Sequence, residues 1–331
     1  MPSVLVAGAS GYAGALAARL IWRHPEFELA AITSRSEAGR PHSEVYPHHR
    51  VPLVMEELDF DRHGAVDAAI VAYPHGASAP LVAALLERGV RVVDLSADFR
   101  LDDVDAYEAW YVEHLHPELI DRAVYGLTEL HREAIAAADL VACPGCFPTA
   151  AILALAPLAQ AGLLGDVVID AKSGVSGAGR GLREHTQFVA VDENVKPYAV
   201  GAHRHMPEID QELAVLGAPV ISAFVPHLVP LDQGELLSCY VTPTRPVSQS
   251  ELDACFEERY AGERFIDLVA APPGVRDVRE TNICAIHAHA DERTGKLFIF
   301  AAIDNLWKGT ASQALANLNL MFGFDEGAGI S

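Results

Sequence analysis

The stretch "SVLVAGASGYAGALAARLIWRH" constrains this chain more than any other. An apolar run ends in three evenly spaced glycines, Gly8, Gly11 and Gly14, and an apolar, helix-like stretch follows. The order predicts a buried strand, a sharp turn and a helix. Glycines there let the backbone bend tightly and approach a pyrophosphate, while the open N–H groups of the helix start hold the anion. A lone glycine pattern is weak, but this one sits between a strand and a helix, with a second strand, "FELAAITS", ending about 20 residues on. That context points to a dinucleotide site, with Gly8, Ser10, Gly11, Tyr12 and Ala13 as its contacts.

The rest of the first third alternates in the same way. "AAIVAY", "RVVDLSA" and "DLVACPG" read as buried strands, and stretches such as "APLVAALLERG" read as helices between them. Continuous apolar strands separated by helices argue for a parallel sheet covered on both faces. After Cys146 the texture changes. "DVVIDAKS", "VISAFVPHLVP", "ELLSCYVTP", "TNICAIHAHAD" and "KLFIFAAID" are strand-like, with fewer helices between them. The expected fold is therefore α/β: a Rossmann dinucleotide-binding domain over 1–145, joined by a C-terminal helix from about 308–331, plus an α+β catalytic domain over 146–307 with a mixed or antiparallel sheet.

Composition excludes several classes. The chain has 24 Lys+Arg against 45 Asp+Glu, a formal charge of −21, which disfavours nucleic acid and anionic membrane as partners. No apolar run is long enough for a membrane span, and the first residues lack the basic start of a signal peptide. Five scattered cysteines do not form a disulfide framework, so a cytoplasmic location is expected. One CxxC with no second pair does not make a zinc site, and no metal is expected.

An NAD site usually places an acid at the end of its second strand, for the ribose 2′-hydroxyl. Here "AITSRSEAG" offers Ser34 and Arg35 instead, a hydroxyl and a cation suited to a 2′-phosphate, so NADP(H) is the expected cofactor.

"VACPGCFPTA" supplies the reactive group. Cys143 reads as a buried residue within the last parallel strand. Cys146 reads as the first residue of a helix, where the unpaired N–H groups lower a thiol's pKa and make it a usable nucleophile. A proton partner is needed. "GAHRHMPEID" holds His203 and His205, and alternation in an extended segment would place both on one face.

Eight motifs, in order, resemble one family. "GASGYAG", "YPHG", "DLSADFRL", "YGLTEL", "CPGCFPT", "SGVSGAGR", "GAHRHMPEI" and "AIDNLWKGTASQA" are similar to the N-acetyl-γ-glutamyl-phosphate reductases, within the wider semialdehyde dehydrogenase group. Phe147 stands where members commonly carry Tyr. The resemblance implies NADPH-dependent reduction of an acyl phosphate to an aldehyde through a Cys146 thioester. It implies His203 as acid/base with His205 in support. It makes the Ser173, Gly174, Ser176 and Gly177 loop a cofactor cover, Asn305 the nicotinamide partner, and Arg100, Arg180 and Lys308 the cations for substrate. It also implies a homodimer or homotetramer. A carrier-linked acyl-phosphate reductase and a non-catalytic dinucleotide sensor remain the alternatives.

Overall fold

The computed structural model describes residues 1–330. The chain divides into two compact units. One comprises Met1–Gly145 together with the chain from Thr310 onward, and the other comprises Cys146–Gly309.

The first unit is built on six strands: β1 (Ser3–Ala7), β2 (Glu28–Thr33), β3 (Ala68–Val71), β4 (Arg91–Asp94), β5 (Val124–Tyr125) and β6 (Leu140–Ala142). They lie in the order β2-β1-β3-β4-β6-β5, and every pair is parallel. Leu5, Val71 and Val92 are buried in one core with Val82 and Leu85 of the helix Ala79–Leu86. The chain runs outward from β1 in both directions, to β2 on one side and β3 on the other. Ligands of open α/β sheets bind beyond the strand ends at such a switch.

The helix Ser312–Met321 belongs to this unit, and it buries polar side chains as well as apolar ones. Gln313 and Asn317 donate their side-chain amides to the Gly126 carbonyl, which answers that carbonyl's need inside the core. "DLSADFRL" forms a second polar knot. Asp98 accepts from the N–H groups of Gly76, Ser78 and Ala79 and from the Tyr107 hydroxyl, and so caps the helix Ala79–Leu86.

The second unit carries seven strands: β7 (Val167–Ser173), β8 (Lys196–Pro197), β9 (Ala223–Leu228), β10 (Glu235–Val241), β11 (Ile266–Leu268), β12 (Cys284–Asp291) and β13 (Lys296–Ile303). Their order is β11-β12-β13-β10-β7-β9-β8. The β7–β9 and β11–β12 pairs are parallel and the rest antiparallel, so the sheet is mixed. The helix Cys146–Gln160 is buried along its whole length from Phe147 to Ala159. It is apolar all round, as a core helix must be. Two further helices, Met206–Val215 and Gln249–Tyr260, stand where fewer were expected.

Among the described residues no helix is long and apolar enough to cross a membrane.

Candidate active site

The glycine loop has the geometry a dinucleotide needs. Gly8 has φ +92°, and a Cβ there would stand 2.5 Å from the Ala72 carbonyl oxygen. A Cβ on Gly14 would stand 2.3 Å from the Gly8 carbonyl oxygen, so the helix can approach the loop only without one. Gly11 is the N-cap of the helix Tyr12–Trp22 and brings no side chain to the helix start. Its first N–H groups therefore meet no cap from Gly11, which suits a pyrophosphate.

The second strand departs from expectation at one residue. Ser34 is buried and donates its hydroxyl to the Ser10 hydroxyl at 2.8 Å, while also accepting from the Glu37 N–H. It braces the loop instead of presenting a hydroxyl to a ligand. A strand-end serine beside a glycine turn finds a partner in the turn before it finds solvent. Tyr46 adds a second brace by donating to the Ser10 carbonyl at 2.8 Å. Arg35 is exposed at the end of β2, and its charge is felt by the Tyr73 phenol.

Cys146 opens its helix as expected. Gly309 lies against it, since a Cβ there would come within 2.8 Å of the Cys146 Cβ. Cys143 stands one residue beyond β6 rather than within it. It is buried, with its thiol toward the Thr310 carbonyl at 3.6 Å.

The two histidines reach one another by a turn and not by strand alternation. The Met206 N–H bonds the His203 carbonyl, and His205 is the N-cap of the helix Met206–Val215, which has proline in its first turn. Pro207 favours a helix start and so ends any extended run. The rings still meet, with centroids 4.8 Å apart. Phe147 packs on both, 5.5 Å from His203 and 5.9 Å from His205, which ties them to the residue after the nucleophile. The His205 N–H donates to His203 Nδ1 at 3.2 Å. That assigns the ring proton of His203 to Nε2. Burial, with Arg204 adding to it, pulls His203 down to about 4, so the imidazole is neutral at neutral pH.

Two residues of this neighbourhood were not singled out in the sequence. Tyr198 packs on His203 at 5.6 Å, and burial together with the charges of Cys146 and Glu235 holds its phenol well above the ordinary range. Glu235 is wholly buried at the head of β10. Its signal was legible: strict alternation puts it on the same face as the buried Leu237, Cys239 and Val241, where an acid is out of place.

The loop Ser173–Gly177 is held by Asn305, whose amide donates to the Ser176 hydroxyl at 3.0 Å and accepts from the Gly234 N–H at 2.7 Å. Asn305 thus scaffolds that loop, whatever else it touches. Arg100 donates to the carbonyls of Cys143 and Leu95, both at 2.8 Å, as a buried guanidinium must. Lys308 is wholly buried, with its ammonium 5.6 Å from the Phe265 ring centre. Of the three expected cations only Arg180 is exposed.

A parallel sheet with a glycine turn after its first strand, followed by a mixed-sheet unit, is the architecture of an NAD(P)-binding dehydrogenase. Residues 3–138 match the semialdehyde dehydrogenase NAD binding domain, and 146–305 match the semialdehyde dehydrogenase dimerisation domain. Aspartate semialdehyde dehydrogenase II from Vibrio cholerae shares the fold, at a TM-score of 0.75 with 17% identity over 98% of each chain. N-acetyl-gamma-glutamyl-phosphate reductases are much nearer in sequence. The Moorella thermoacetica protein is 47% identical over 97% of this chain and 95% of its own length, and the Desulforudis audaxviator protein is 47% identical over 100% and 98%. The chain belongs to the N-acetyl-γ-glutamyl-phosphate reductase family of the semialdehyde dehydrogenases.

Proposed function

We propose that the chain catalyses NADPH-dependent reduction of N-acetyl-γ-glutamyl phosphate to N-acetyl-glutamate semialdehyde and phosphate, a step of arginine biosynthesis. The observation that carries this reading is the thiol at a helix N-terminus with Tyr198 and Glu235 about it, and with His203 packed on Tyr198 and on the next residue, Phe147.

Cys146 gives its S–H proton to solvent and attacks the acyl carbon as the thiolate. The carbon–oxygen bond to phosphate breaks, phosphate leaves and takes up a proton from solvent, and a thioester remains on Cys146. NADPH, when bound, supplies the hydride that reduces this thioester. His203 keeps its proton and donates an Nε2–H hydrogen bond to the thioester oxygen as negative charge gathers there, a part that suits a neutral imidazole. The carbon–sulfur bond then breaks, the aldehyde forms, and the electron pair returns to sulfur. Arg180 is the cation assigned to the anionic substrate groups, because Arg100 would first have to give up its bonds to backbone carbonyls. Arg35 is assigned to the 2′-phosphate of NADPH, which makes the cofactor NADP(H) rather than NAD(H). The working form is a homo-oligomer joined through the second unit, in the reducing cytoplasm, with a free small molecule as substrate.

The test traps the covalent intermediate. Acyl phosphate given without NADPH should add one acyl group to Cys146, read by intact-protein mass, and Cys146→Ser should carry none. An acyl group on Cys143, or none on a folded wild-type chain, would contradict the mechanism.

A further inference from the structure

Two buried carboxyls of the motif loops show how an acid is surrounded by donors in this fold. Asp98 gathers three backbone N–H groups and a phenol. Asp304 accepts from the N–H groups of Glu280, Leu306 and Trp307. Glu235 gathers nothing of the kind. It is wholly buried, and neither oxygen accepts a hydrogen bond of ordinary geometry among the described residues.

Its place is nonetheless fixed. Glu235 lies directly across from Ser173 on β7 and from Ile303 on β13. The preceding Gly234 has φ +117° and its N–H is held by Asn305. The groups that face the carboxyl come from four elements: the Cys146 thiol at its helix start, the Ser173 hydroxyl on β7, the Asp304 carboxyl after β13, and the Tyr198 phenol after β8. None of these is a cation. The thiol and the hydroxyl approach closely enough to favour the charged form somewhat, but only loosely by strict hydrogen-bond geometry. An ionised carboxylate without a cation or a set of donors is costly in such a place, and the group takes up a proton instead.

We propose that Glu235 is a further catalytic residue that works as a neutral carboxylic acid, donating its O–H to the Cys146 sulfur and so holding the nucleophile as a thiolate. The proposal rests on the reading of Cys146 as nucleophile. In forming the thiolate the S–H bond breaks and its proton goes to solvent, while the Glu235 proton stays on its oxygen. When the aldehyde leaves, the returning electron pair meets the same donor. A neutral acid held for hydrogen-bond donation is a known device of buried active sites. Burial pushes the carboxyl up to about 8, which keeps it protonated at neutral pH and lets it ionise in mild alkali. His203 cannot take the same part as a charged donor, being held near 4.

The test is the rate at which iodoacetamide alkylates Cys146, read by peptide mass at pH 7 and pH 9 in wild type, Glu235→Gln and Glu235→Met. Gln keeps a donor and never ionises; Met keeps the volume and has no donor. At pH 7 Gln should match wild type, and Met should be slower by about tenfold or more, the scale of one hydrogen bond to a charged group. At pH 9 Gln should outpace wild type, whose own carboxylate then opposes the thiolate. Met labelling as fast as wild type or faster at pH 7 overturns the proposal. If the variants do not fold, the wild type suffices: a protonated-carboxyl infrared band at pH 7 should shift when Cys146 is alkylated, and an unshifted band overturns the proposal. Turnover that survives full alkylation of Cys146 would instead sink the nucleophile reading, so the two failures are distinct.

Discussion

His203 and Arg35 carry the sharpest consequences of single side chains. The His205 N–H fixes the tautomer of His203, so Nε2–H is the group that the proposed mechanism lends to the reacting oxygen. His203→Asn should lower kcat by about 10²–10⁴-fold, with a smaller loss in His205→Asn, in steady-state assays. The reverse ranking would move the role to His205. Arg35 is exposed at the strand end, and Ser34 has turned inward, so the guanidinium is the group proposed for the 2′-phosphate. Arg35→Ala should weaken NADPH binding by about 1.5–3 kcal/mol and leave NADH nearly unchanged, as calorimetry would show. Equal losses for both cofactors would remove Arg35 from the site. Cys146 was legible because its spacing from a strand end and a helix start is local information. The inward turn of Ser34 was not, because it depends on where Ser10 of another segment stands.

Elements were legible wherever burial was continuous. The glycine loop and the strands on either side of it follow from apolar runs and glycine spacing, and the structure adds why no side chain can enter. Gly14→Ala would place a methyl 2.3 Å from a backbone oxygen that cannot give way. It should abolish NADPH binding or lower Tm by several degrees, seen in a thermal melt with and without cofactor. An unchanged melt with unchanged affinity would mean the loop is not the cradle. The helix Gln249–Tyr260 leaves a weak mark in the sequence because most of "QSELDACFEERY" is polar. Only Leu252, Phe256 and Tyr260 are buried, a narrow stripe at every fourth residue. The HRH segment reads as extended, because alternation of like residues is the pattern of a strand. Pro207 was the overlooked signal, since it starts the helix that makes His205 a cap.

At the scale of the whole molecule, buried titratable groups set the pH response. Burial lowers His24, His42, His49 and His203, and these favour stability as pH rises through the range below about 6.5. Burial raises Asp94, to about 6, and Glu235, to about 8, and these act in the opposite sense over the same range. Between about 6.5 and 8 only Glu235 of this set still differs between the folded and unfolded chain. The unfolded carboxyl is ionised there while the folded one holds its proton, so stability falls as pH rises, by about 1–2 kcal/mol across the window. Chemical denaturation at pH 6.5 and 8 should show that fall in wild type and not in Glu235→Gln; a flat wild-type profile would mean Glu235 is already ionised. The change of texture at Cys146 is a local mark in the sequence, whereas strand order leaves none, because pairing is between distant strands. The central claim is the reaction itself, and it is tested most directly in reverse. N-acetyl-glutamate semialdehyde with NADP⁺ should give NADPH, followed by absorbance, only when inorganic phosphate is present, with a rate that saturates in phosphate and vanishes in Cys146→Ser. NADPH formed at the same rate without phosphate would contradict the account.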